Sequence, residues 1–258
     1  MSFLVTEDRG AVRWLTLNAP GRKNAVPRQG WAELVEAFES FGDSEQRVLV
    51  IRGAGEDFCA GADVGAGFAT DAGTTANVER MRITGRAAMT LHGLSKPVVA
   101  AVDGVAVGAG LNLALGCDLI VATDRARFSE IFVRRGLTLD FGGTWLLPRL
   151  VGLARARDLA LTGRIVAADE ALEMGLIARV VPAEHLESTV TETAEELAAG
   201  APLAQRFIKV ALDRSSAMTF EQALAFEELA QATLLGSEDL AEGANAFLER
   251  RPPEFKGR

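Results

Sequence analysis

The stretch that decides the fold reads Pro97-Val-Val-Ala-Ala-Val-Asp-Gly104-Val-Ala-Val-Gly108-Ala109-Gly110-Leu-Asn112, and Gly136-Leu-Thr-Leu-Asp140-Phe-Gly142-Gly143 follows it closely. An apolar run rich in valine is typical of a buried parallel strand. Glycines at the start of the helical pattern behind it let backbone N–H groups approach a ligand, and a helix N-terminus favours negative charge. We therefore expect an anion or a developing oxyanion here. Glycines that serve only a tight strand-to-helix junction are the alternative.

A second stretch repeats the pattern: Val48-Leu-Val-Ile-Arg-Gly53 is a predicted strand, and Phe58-Cys-Ala60-Gly61-Ala62-Asp63 is a turn of mostly small residues behind it. Small residues allow the main chain itself to line a site, as an oxyanion hole requires. Two such turns at successive strand ends predict two converging N–H donors.

Several other site classes are excluded by spacing. The third glycine of a dinucleotide fingerprint that starts at Gly108 would fall at Leu113, and the chain has no P-loop motif. Cys59, Cys117, His92 and His185 form no metal-binding or hydrolase pattern, so we expect no metal site and two buried free thiols.

The motifs Phe58-Cys-Ala-Gly-Ala-Asp63, Asp103-Gly-Val-Ala-Val-Gly-Ala-Gly-Leu111 and Cys117-Asp-Leu-Ile resemble the crotonase superfamily, the enoyl-CoA hydratase and isomerase family. The resemblance extends from Trp14-Leu-Thr-Leu-Asn18 to the closing Arg250-Arg-Pro-Pro-Glu-Phe255. It implies an α/β fold with a spiral core of ββα units and a C-terminal helical region for oligomerisation.

The resemblance also implies how a substrate is held. By motif position, the N–H groups of Ala62 and Ala109 bind the thioester oxygen of an acyl-CoA as it becomes enolate-like. The family usually has glycine where this chain has Ala109, a change that keeps the backbone donor. Gly108, Asn112 and Phe132 are expected to line the pocket.

Two positions depart from the hydratase pattern. Enoyl-CoA hydratases that resemble this chain carry two glutamates that position and activate water, and the matching residues here are Asn112 and Phe132. Neither side chain can serve as a carboxylate base, so ordinary hydration of a 2-enoyl-CoA is not expected.

Asp140 matches an acidic position of dienoyl-CoA isomerases and ring-1,2-epoxyphenylacetyl-CoA isomerases, and Gly136 to Arg149 resembles the latter. A carboxylate in an apolar pocket has a raised pKa and can move a proton between two carbons. An aspartate that caps a turn or helix is the structural alternative. A nucleophilic aspartate, as in 4-chlorobenzoyl-CoA dehalogenases, is a weaker one, since Phe132 replaces their tryptophan.

The resemblance implies a coenzyme A thioester substrate and no permanently bound cofactor. Contacts with CoA are expected from six residues: Lys23, Asn24, Ala25, Ala60, Asp63 and Lys256. Lys256 lies in a C-terminal segment that often reaches a neighbouring subunit, although solvated surface charge also explains that tail. The family's assemblies imply a homotrimer or a dimer of trimers.

Composition agrees with a compact enzyme, because 258 residues with 48% hydrophobic and 24% charged residues can bury a large core. A net charge of −8 argues against nucleic acid as a partner. No stretch reads as a membrane span or an export signal, so we expect a cytoplasmic protein with no membrane partner.

Alternation of element types predicts an α/β chain. The predicted strands are 3–6, 12–17, 48–53, 97–102, 117–122 and 178–181. The predicted helices are 29–41, 77–94, 184–199, one that starts at Pro202, 220–235 and 240–250. We divide the chain into an acyl-CoA-binding core, residues 1–200, and a helical oligomerisation region, residues 201–258. Residues 65–75 are predicted to form a mobile loop over the acyl pocket or a plain surface loop.

Three function classes therefore compete. The first is an isomerase of CoA thioesters, with Asp140 as acid and base. The second is another reaction of the superfamily, hydration or hydrolysis, which needs a water held by Asn112 or Asp140. The third is a non-catalytic acyl-CoA-binding scaffold that kept the fold.

Overall fold

The structure is a computed structural model that describes residues 2–63, 65 and 73–258. The described strands are β1 (Leu4–Arg9), β2 (Val12–Leu17), β3 (Val48–Gly53), β4 (Val98–Val102), β5 (Val105–Val107), β6 (Leu119–Thr123), β7 (Arg127–Ser129), β8 (Val166–Ala167) and β9 (Arg179–Val181). The described α-helices are α1 (Gly30–Gly42), α2 (Gly73–His92), α3 (Ala109–Leu115), α4 (Gly143–Thr162), α5 (Ala168–Glu173), α6 (Leu186–Ala199), α7 (Pro202–Ser215), α8 (Phe220–Leu235) and α9 (Glu238–Glu249).

A six-stranded sheet forms the centre, in the order β1-β2-β3-β4-β6-β9. The first pair is antiparallel, and every later pair is parallel. All six predicted strands lie in this sheet, and 12–17 and 48–53 have the predicted bounds. The predicted α/β class is confirmed.

Both faces of the sheet are covered, which explains why its central strands are apolar without alternation. Helix α6 packs on one face, where Val190 and Ala194 meet Trp14, Val50 and their neighbours. The larger core lies on the other face and includes α1 and α3. All five residues of β4 are buried.

A second, three-stranded sheet in the order β5-β7-β8 was not predicted. Its strands have three, three and two residues, too short for a periodic pattern to appear in the sequence. The sequence led directly from strand 97–102 into a helix, but β5 lies between β4 and α3. Parallel pairing of β5 with β7 places Val107 opposite Ser129, and this brings the chain after β7 close to the start of α3.

The C-terminal part is helical as predicted, and α7 begins at Pro202. Helices α4 and α5 were not predicted. Of the predicted loop 65–75, residues 66–72 lie outside the described residues, and Gly73 to Thr75 belong to α2. Within the described ranges, no helix is both long enough and apolar enough to cross a bilayer.

Candidate active site

The turn that follows Phe58 runs beside β5 towards the start of α3. Cys59 forms a parallel bridge with Ala106: the Cys59 N–H donates to the Val105 carbonyl at 2.9 Å, and the Val107 N–H donates to the Cys59 carbonyl at 3.0 Å. Gly61 lies close to the residue after Gly108: a Cβ added to Gly61 would be 3.4 Å from the backbone nitrogen of Ala109. Ala62 and Ala109 therefore stand at the same end of two paired segments.

The N–H groups of these two alanines have no backbone acceptor within the described ranges. Ala109 is the first residue of α3, and its N–H precedes the first intrahelical bond, in which Asn112 donates to Gly108. The side chain of Ala109 is buried, so the methyl group that replaces the usual glycine hydrogen is accommodated. Two adjacent free donors can hold an oxygen that becomes negative during a reaction.

Asp140 lies in the turn between a 3-10 helix (Ile131–Arg135) and α4. Its side chain is half-buried, and burial raises the pKa of the carboxyl to about 6. Helix α4 is capped by Gly142 without any side-chain cap, so this carboxylate is not the helix cap that its position next to α4 suggests. One carboxylate oxygen, Oδ1, has no partner within the described residues.

Of the two residues that match the hydratase glutamates by motif position, one contacts the backbone of Asp140 and the other lies beside Gly108. Asn112 is fully buried, and its Nδ2 donates to the backbone carbonyl of Asp140 at 3.0 Å. Phe132 is buried next to Gly108, where an added Cβ would be 3.7 Å from the phenyl ring. An amide and a phenyl ring thus occupy the places of two carboxylates.

Sequence reasoning missed a second acid, Glu130. It follows β7 directly, its side chain is fully buried, and its Oε2 lies 3.5 Å from Asn112 Nδ2. Burial, with the nearby charge of Asp140, raises the pKa of this carboxyl to about 8. The signal in the sequence was a glutamate inside the otherwise mostly apolar run Phe128-Ser129-Glu130-Ile131-Phe132.

The segment expected to meet CoA is built against the same turn. The Ala60 N–H donates to the Lys23 carbonyl at 2.9 Å, and Lys23 and Asn24 both have positive φ. Lys23 pairs with Asp57 at 3.3 Å, and its side chain is largely exposed. Ala25 is buried.

Two residues that were expected to contact CoA form hydrogen bonds or ion pairs within the chain. The fully buried Asn24 accepts from the Ala19 N–H and donates to the carbonyls of Ala54 and Asp57, so its amide shapes the loop after β3. Asp63 is paired with Arg22 and accepts from the Gly65 N–H; these contacts, that of Gly65 above all, lower the pKa of the Asp63 carboxyl.

Lys256 lies in the C-terminal tail, away from the segments that pair around Ala60. Its backbone N–H donates to Asp239 of α9 at 2.6 Å, and its side chain is exposed. The structure describes a single chain, so Lys256 remains a predicted contact from one subunit to the next.

Both cysteine thiols have raised pKa values, and one histidine packs against an aromatic ring. Burial raises the pKa of the Cys59 thiol to about 12, and burial also raises that of Cys117. His92 packs edge-on against Trp145. In the described part of the chain, no cluster of His, Cys, Asp and Glu side chains could hold a metal ion.

The arrangement therefore places two backbone donors near one end of α3 and two carboxyl groups near Asn112 of the same helix. Donors of this kind stabilise an enolate oxygen, and a carboxylate with a pKa near neutrality can take and return a proton. Backbone donors and such a carboxylate together suit proton transfer at a carbon next to a carbonyl group.

Comparisons with known proteins identify the family of the chain. Residues 7–258 match the family model described as enoyl-CoA hydratase/isomerase. The 1,2-epoxyphenylacetyl-CoA isomerase of Escherichia coli is 38% identical with full coverage of both chains, and the short-chain-enoyl-CoA hydratase of Clostridium acetobutylicum is 36% identical over 100% of this chain and 99% of its own. An enoyl-CoA hydratase structure from Bacillus anthracis superposes with a TM-score of 0.94 at 31% identity and full coverage of both chains. The chain is a member of the enoyl-CoA hydratase/isomerase family, with the predicted crotonase-like fold.

Proposed function

We propose that the protein is an isomerase of acyl-CoA thioesters, which shifts a double bond or rearranges a ring epoxide. The observation that carries the proposal is the half-buried carboxylate of Asp140, which caps no helix and whose backbone carbonyl accepts from Asn112. By motif position, Asn112 and Phe132 replace the two glutamates of the hydratase pattern. The name of the E. coli relative supports the same reaction class.

The groups described above support the following reaction. Asp140 removes a proton from a carbon next to the activated thioester, and the electron pair of the C–H bond moves into the enolate. The N–H groups of Ala62 and Ala109 hold the enolate oxygen. Asp140 then returns the proton to another carbon, the double bond moves, and no water is consumed.

For the rest of the substrate, we propose that Lys23, Ala60 and Asp63 line the approach of CoA and that Lys256 contributes from a neighbouring subunit. We propose that the protein assembles as a homotrimer or a dimer of trimers, which brings this tail to a neighbouring subunit. Exposed apolar side chains on α7, α8 and α9 support assembly, and they include Ile208, Leu212, Leu229, Phe247 and Leu248.

Hydration is the second candidate, and one observation favours it. Glu130 and Asp140 supply two carboxyl groups near Asn112, although from other positions than the two hydratase glutamates. Relatives named hydratases also match the whole chain.

The test is incubation of the purified protein with 3-enoyl-CoA and 2-enoyl-CoA separately in heavy water, followed by mass spectrometry of the products. An isomerase converts the 3-enoyl ester and adds no water to the 2-enoyl ester. Asp140→Asn should lower turnover by about a hundred- to ten-thousand-fold and keep affinity for the CoA ester within about threefold. Hydration of the 2-enoyl ester would instead establish the second candidate, and tight binding without turnover across a wide substrate panel would indicate a scaffold.

A further inference from the structure

Three buried oxygen atoms near the end of α3 have no hydrogen-bond partner in the described part of the chain. They are Asn112 Oδ1, Glu130 Oε1 and Asp140 Oδ1. The Asn112 amide connects the residues that carry them, because its Nδ2 donates to the Asp140 backbone carbonyl at 3.0 Å and lies 3.5 Å from Glu130 Oε2. The cluster therefore has more hydrogen-bond acceptors than donors.

A proton on one of the two carboxyl groups supplies an additional hydrogen-bond donor. Two ionised carboxylates in a dry site repel each other and lose their hydration, whereas a protonated carboxyl becomes a donor. The pair is therefore most stable with one negative charge and one proton.

The structure indicates which group keeps the proton. The side chain of Glu130 is completely buried, whereas that of Asp140 retains some exposure. Nearby polar groups on the flanking elements are engaged elsewhere: the Ser129 hydroxyl donates to the Gly163 carbonyl, and Arg134 donates to the Thr162 carbonyl. In the described residues, Asp140 is the charged group that acts on Glu130, and its negative charge also raises the pKa of that carboxyl.

We propose that Glu130 is a positioning residue that holds a proton beside Asp140, so that the two carboxyl groups carry one negative charge between them and Asp140 is the member left ionised to act as the base. The proposal rests on the proposed function for the role of Asp140. The protonation state of Glu130 stands without it.

The proton on Glu130 matters for the chemistry because the reaction creates a new anion. An enolate that forms beside one carboxylate is far less destabilised than one that forms beside two, since charges in a dry site are weakly screened. Loss of the proton from Glu130 should therefore slow the reaction even though Asp140 remains ionised.

The first test is infrared difference spectroscopy of the unliganded protein. We expect the C=O stretching band of a protonated carboxyl group at neutral pH in the wild type and its loss in Glu130→Gln. In Asp140→Asn the band should persist, and its titration midpoint should move to lower pH because the neighbouring negative charge is gone. A wild-type spectrum without the band, or a band that survives Glu130→Gln, overturns the proposal whatever reaction the enzyme performs.

The second test is the pH dependence of kcat/KM. We expect a wild-type alkaline limb with a midpoint near the pKa of Glu130, about 8. Glu130→Gln, which mimics the protonated form, should lose that limb. Glu195→Gln, at an exposed site on α6, is the matched control and should keep the limb. An alkaline limb unchanged in Glu130→Gln contradicts the positioning role.

Stability provides an independent measurement of the same proton. Native Glu130 keeps a proton that the unfolded chain releases above its ordinary pKa of 4.5, so the free energy of unfolding falls as pH rises from 4.5 to about 8. Glu130→Gln should therefore gain stability relative to the wild type across that window. A difference that does not change with pH would show that Glu130 ionises without penalty and would overturn the proposal.

Discussion

At the scale of single residues, the proposed role of Asp140 makes activity depend on the charge of its carboxyl group. Burial raises its pKa to about 6, and a general base must be ionised. We expect kcat/KM to rise as pH increases through about 6 and to level off above it. Steady-state kinetics from acid to neutral pH, with circular dichroism as a check that the protein stays folded, measures this.

The control for that prediction is Asp140→Asn, whose residual turnover should show no limb near pH 6. The Asp140 carboxyl group keeps its proton to a higher pH in the native state than in the unfolded chain. Asp140 therefore lowers the free energy of unfolding as pH rises from 3.8 to about 6. An acid limb at the ordinary pKa of aspartate, 3.8, would mean that the carboxyl group is well solvated and would remove it as the tuned base.

At the scale of elements, the contact between the 59–62 turn and α3 depends on a glycine. A Cβ on Gly110 would lie 2.3 Å from the Cys59 carbonyl oxygen, which belongs to the backbone and cannot turn away. Gly110→Ala should lower the free energy of unfolding by about 1–3 kcal/mol. It should also separate the Ala62 and Ala109 donors and lower kcat/KM by up to about a hundredfold. Chemical denaturation and steady-state kinetics measure the two effects.

Gly85 in α2 is the matched control, because it is also a helical glycine but has no atom within 4 Å of an added Cβ. Gly85→Ala should raise stability by about 0.5–1 kcal/mol, since alanine loses less conformational entropy than glycine in a helix. Equal effects of the two substitutions would mean that the turn moves aside and that its contact with α3 does not hold the donors.

Elements also show what the sequence could and could not predict. The bounds of β2, β3 and α8 agree with the prediction because each has a clear period, a run of β-branched residues or a flanking turn signal. The strands β5, β7 and β8 have only two or three residues, too few for a period to show, even though glycines flank β5. Glu130 was missed for a related reason. It lies 18 residues after Asn112 in the sequence, and the two side chains meet only because β5 pairs with β7. Motif matching identified residues by position, whereas this second acid is brought into place by topology.

At the scale of the whole molecule, a buried carboxylate helps to hold the C-terminal tail. Asp239 on α9 accepts from the backbone N–H groups of Lys256 at 2.6 Å and Gly257 at 2.9 Å. Arg47, in the loop before β3, donates to the carbonyls of Ala198 and Phe255. Four parts of the chain therefore meet at one place: α9, the C-terminal tail, the end of α6 and the loop before β3.

Removal of that carboxylate should release the tail and weaken the molecule as a unit. Asp239→Asn keeps the shape but replaces one of the two acceptor oxygens with an amide NH2 group that faces one of the two backbone N–H groups, so we expect a loss of about 1–3 kcal/mol in unfolding free energy. Hydrogen exchange in residues 254–258 should rise more than in β3. Glu238→Gln removes an exposed charge from the same helical turn and should cost less than about 1 kcal/mol. If the tail presents Lys256 to CoA, Asp239→Asn should also raise KM for the CoA ester while kcat changes little; an unchanged KM with a released tail would separate the tail from the substrate and leave it a purely structural anchor.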